Sequence, residues 1–88
     1  MEQHVLNYRV IIEPEKMGKK TVYNAYCPTL GVADYADTIE EVIESIKDGI
    51  KLAIECSLDE KKEVPHDNIE EQIITTVAVT TNRFSSPL

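Results

Sequence analysis

The chain has 88 residues, with 16 acidic against 9 basic side chains and a formal charge of -7. That length supports a single hydrophobic core and leaves no room for a second domain. The acidic balance repels phosphate backbones, so direct binding of RNA or DNA by this chain alone is not expected, and a basic protein is the better electrostatic match.

The N-terminal stretch MEQHVLNY lacks the basic and long apolar regions of a secretory signal, and no apolar run is long enough to cross a bilayer. These features predict a cytoplasmic protein with no membrane association. From Val5 to Glu13 the chain alternates, with Leu6, Tyr8, Val10 and Ile12 on one side, and a first strand ending at Pro14 is expected. The polar segment Glu15 to Lys20 contains Gly18 and reads as a hairpin connection. A second strand, Thr21 to Cys27, should therefore return antiparallel, with Tyr23, Ala25 and Cys27 facing inward. Pro28 to Gly31 then turns the chain into a short third strand, Val32 to Ala36.

Asp37 to Leu58 carries the strongest pattern. Ile39, Val42, Ile43, Ile46, Ile50, Ala53 and Ile54 recur at helical spacing and project within an arc of roughly 120 degrees. Thr38 followed by Glu41 three residues on is a capping box and marks the helix start. Glu40, Glu41, Glu44, Asp48 and Glu55 gather on the opposite side, and Leu52 is an isolated apolar residue among them. Pairs such as Glu44 with Lys47 and Lys51 with Glu55 offer modest surface ion pairing, while Glu40 with Glu44 and Glu44 with Asp48 repel.

A polar loop from Asp59 to Asn68 follows, and then Gln72 to Thr81, QIITTVAVTT, is β-branched almost throughout. A fourth strand is expected there, parallel to the first through a right-handed crossover. The reading is an α+β fold: one β-β-β-α-β domain over residues 1–81 and a flexible tail over 82–88. Its mixed four-stranded sheet has the order 3-2-1-4, with one long helix packed on one face. The other face carries Ile11, Ile74 and Ala78 among polar neighbours, which predicts a homo-oligomer, dimer or higher.

Catalytic chemistry has little to stand on. Cys27, Cys56, His4 and His66 are too few and too irregularly spaced for a metal site, His66 lacks a triad-type arrangement, and no cofactor motif is present. The two cysteines read as free thiols, buried or half-buried. A two-metal nuclease would need converging carboxylates, yet the first strand has Arg9 at its middle and only Glu13 at its end. The candidate partner-binding residues are Glu40, Glu41, Glu44, Asp48, Leu52 and Glu55 on the helix, with Tyr35 on the third strand. Core or edge packing is the competing role for Tyr35.

The succession YRVIIEPE, YNAYCPTLG and DTIEEVIESIKDGI, from Tyr8 to Ile50, resembles HicB, the antitoxin of HicA/HicB toxin-antitoxin pairs. The resemblance implies a partial RNase H-like fold and a role in masking a small basic HicA-like toxin that cleaves messenger RNA. Many HicB proteins continue into a DNA-binding domain; this sequence stops at Leu88, and operator binding by it alone is not expected. The alternative is an orphan interaction or oligomerisation domain that keeps the fold without a toxin.

Overall fold

The computed structural model describes residues 3–83. Its elements are β1 (Ile11–Met17), β2 (Lys20–Cys27), β3 (Val32–Ala36) and α1 (Ile39–Asp59), an α+β arrangement of a three-stranded antiparallel sheet and one helix. Met17 pairs with Lys20 across the two-residue turn Gly18-Lys19. Gly18 has φ of +68°, the left-handed conformation that a type II′ hairpin requires at its first turn position.

Register follows from that turn. A two-residue hairpin closes on a hydrogen-bonded pair, so the backbone polar groups of the odd-numbered residues of β1 face β2, and those of the even-numbered ones face the open edge. Pro14 sits inside β1 opposite Tyr23 and does not end the strand as expected. Its missing N–H falls on the open edge, where no ladder bond is lost. The strand also begins later than expected, because Ile11 already pairs with Tyr26 near the end of β2 and residues 5–10 run past it with no ladder partner.

The core lies between the sheet and the helix. Ala25, Cys27, Val42 and Ile46 are its buried centre, with Tyr8, Val10, Ile12, Tyr23, Leu30, Val32, Ala36 and Ile50 packed around it. Tyr23, Ala25 and Cys27 thus take the inward positions expected of them. The helix lies chiefly over β3 and then β2. At Gly49 it approaches β3 so closely that a Cβ there would meet Val32 Cγ1 at 3.1 Å, which accounts for a glycine in mid-helix. On the same face Asp34 accepts a hydrogen bond from the Ser45 hydroxyl, tying β3 to the helix.

Thr38 is the N-cap, and its Oγ1 accepts from the Glu41 N–H at 3.1 Å. Replacing it with Ala leaves that donor orphaned and should cost about 1 kcal/mol, read as a lower urea midpoint with an unchanged slope.

Three expectations are corrected. Gln72 to Thr81 makes no strand pairing and is exposed throughout, so the sheet among the described residues is β1-β2-β3 and the 3-2-1-4 order is not formed. The physical reason is local: the N–H groups of Glu71 and Gln72 both donate to the Asn68 carbonyl, and this turn precedes a segment that meets no sheet edge. β-branched residues favour an extended backbone, but a strand exists only where an edge receives it. Ile39 and Ile43, placed in the buried stripe by their spacing, stay exposed because the sheet reaches only part of that stripe. Cys56 is exposed, whereas Cys27 is buried.

Candidate protein-binding surfaces

The outer side of α1 brings together the six helix residues singled out in the sequence. Glu40, Glu41, Glu44, Asp48, Leu52 and Glu55 are all exposed, and at 1.5 Å per residue they span roughly 22 Å of helix. Leu52 is 61 % exposed within this face. None of the expected pairs with Lys47 or Lys51 is formed; the ion pairs among the described residues are Lys20 with Asp37 at 2.9 Å and Lys62 with Glu60 at 2.8 Å. The carboxylates of the face therefore keep their repulsion in the free chain, a small cost that a cationic surface relieves.

Tyr35 does not join them. It lies opposite Asn24 on β2, in the row that also holds Glu13, on the sheet face turned away from the helix, and it is 69 % exposed. The packing role considered for it is not what it does here. Ile11 and Tyr26 pair on the same outer face and are also exposed, so this side offers a shallow apolar surface of its own. Glu13 shares that face, with the sheet between it and the helix carboxylates, so these acids do not converge on one point. No group of His, Cys, Asp and Glu among the described residues is arranged to hold a metal ion, and no helix there is long and apolar enough to cross a membrane.

A further feature is the open side of the helix. Leu6, Tyr8, Val10 and Ile12 form one wall of an apolar groove of about 420 Å³, and Ile43, Ile46 and Ile50 form the other. It continues past Lys47 and Lys51 towards Ile54, Leu58 and Val64. This is where the uncovered part of the helical stripe goes.

Sequence reading passed over Asp67, which latches the loop after the helix onto the start of the sheet. Its Oδ2 accepts from the Arg9 N–H at 2.6 Å and its Oδ1 accepts from the Thr29 hydroxyl at 2.6 Å. Its own N–H donates to the Asn7 carbonyl at 2.9 Å, and the Tyr8 hydroxyl donates to the Pro65 carbonyl at 2.6 Å. The Thr29 hydroxyl and then the Arg9 N–H hold the Asp67 carboxyl below its ordinary range. Tyr8 moves the other way, raised by burial first and then by Cys27 and Asp67. An Asp two residues after Pro65, able to accept at both oxygens, was the available signal.

Comparison with protein-family models, with curated proteins and with solved structures returned no match.

Proposed function

We propose that the chain is a cytoplasmic HicB-type antitoxin that binds and neutralises a small basic HicA-like mRNA-cleaving toxin. The observation that carries this reading is the outer face of α1, where exposed carboxylates lie without ion pairs among the described residues around an exposed Leu52. Such a face suits a cationic protein surface: the charges speed encounter and set orientation, and the Leu provides an apolar anchor. In this role the chain is not an enzyme and needs no cofactor. It works by occupying the toxin surface that RNA would otherwise use. The residue-level resemblance to HicB over Tyr8 to Ile50 supports the choice of partner.

The test is co-expression with a short basic HicA-like toxin, with growth and complex formation as readouts. Reversing Glu40, Glu44 and Asp48 to Lys should weaken the complex on the order of a hundredfold, mainly through slower association, and flatten its salt dependence. Failure of the unaltered chain to bind the toxin or rescue growth would reject the reading.

A second reading, an orphan oligomerisation domain without a toxin, draws on a separate observation: the open apolar groove beside the helix. It predicts self-association and indifference to charge reversal on the helix.

A further inference from the structure

The groove and the unpaired segment answer one another. On the open edge of β1 the even-numbered Ile12 directs its backbone groups outward, and its side chain lines the groove together with Tyr8 and Val10 of the extended segment that leads into the strand. Pro14, with no N–H to give, bounds the stretch that can accept a new ladder. The segment 72–81 is a ten-residue run whose alternate side chains Ile73, Val77 and Val79 are 87 %, 80 % and 79 % exposed. It thus has an apolar side to place and no edge to pair with, while the edge and groove lack a strand of the same character. The Asn68–Gln72 turn precedes the segment, and the chain's radius of gyration is 16.9 Å, against about 12 Å for a compact chain of this length. The segment is held out as an arm.

We propose that residues 72–81 of one chain add as a fourth strand to the β1 edge of a second copy, reciprocally, so that two arms close two grooves in a symmetric dimer. Ile73, Val77 and Val79 enter the groove between Tyr8, Val10 and Ile43, and the arm's backbone satisfies the open edge. Reciprocity is what favours a second copy: one two-fold operation pairs both arms with both β1 edges, so the assembly closes at two chains. The dimer restores the four-stranded order in trans. This inference goes beyond the antitoxin reading and does not rest on it, since it uses the opposite side of the helix.

Sedimentation of the full chain over a dilution series should give twice the 9.9 kDa chain mass. Val77→Lys and Ile73→Lys should each raise the dimer dissociation constant on the order of a hundredfold while leaving helical circular dichroism unchanged, because both side chains are exposed in the single chain. A mixed dimer of isotopically labelled and unlabelled chains should show contacts between the arm methyls of one and Tyr8 and Val10 of the other. A monomer, arm contacts found only within one chain, or a dimer indifferent to both lysines would each overturn the proposal.

Discussion

Replacing Ile46 with Ala should lower the stability of the fold by about 3 kcal/mol, the cost of lost burial plus an unfilled cavity at a well-packed site. Ile46 is 2 % exposed and sits with Val42 over Ala25 and Cys27. A domain of this size has a total stability of about 5–10 kcal/mol, so the variant should lose a large part of its margin. Ile43→Ala is the matched control. It is 45 % exposed in the single chain and should cost no more than about 1 kcal/mol there. Urea denaturation of both variants, under conditions where the chain is monomeric, measures the contrast. Equal losses would mean that the core is not centred where the helix crosses β2 and β3.

Asp67→Asn should produce the second large change, in the pH dependence of stability. Its carboxyl is held below the ordinary 3.8 by the Thr29 hydroxyl and the Arg9 N–H. A carboxylate with a depressed folded pKa stabilises the fold above its unfolded pKa, and that contribution disappears as the pH falls through the folded value. The unaltered chain should therefore be more stable than the variant at pH 7, and the gap should close as the pH drops below 3.8. Asp34, lowered by its Ser45 and Tyr35 hydrogen bonds, titrates in the same direction, so the variant keeps a shallower acid limb. Urea midpoints at neutral and acid pH measure the difference. A gap that persists unchanged in acid would remove Asp67 as a charge-dependent latch.

The helix was legible almost to the residue because several independent signals agree there: the Thr38 cap, the Glu41 that follows it, and an Ile-rich stripe at helical spacing. The hairpin and third strand were legible for similar reasons, with Gly18 marking the first turn and alternation placing Ala25 and Cys27 inward. Local pattern could not decide the partners of the two ends. Val5 to Val10 and Gln72 to Thr81 both have strand character, yet pairing depends on an edge far away in sequence, and a short turn at Asn68 leads into the second of them. The same limit hid the exposure of Ile43, whose spacing says which helix face it occupies but not how far the sheet extends beneath it. The acidic helix residues were found together because one helix carries them all. Tyr35 was grouped with them although strand parity sets it on the far side of the sheet. Asp67 was overlooked because its two acceptor roles join a loop to partners far away along the chain.

In the proposed role the outer face of α1 binds a basic protein. Affinity capture of the tagged chain from its own host, with bound partners identified by mass, tests it most directly when run beside the chain carrying Glu40→Lys, Glu44→Lys and Asp48→Lys. A single small basic protein should be recovered in stoichiometric amount with the unaltered chain and lost with the reversed one. Recovery of the chain alone, or of a partner held equally by both forms, would contradict that role.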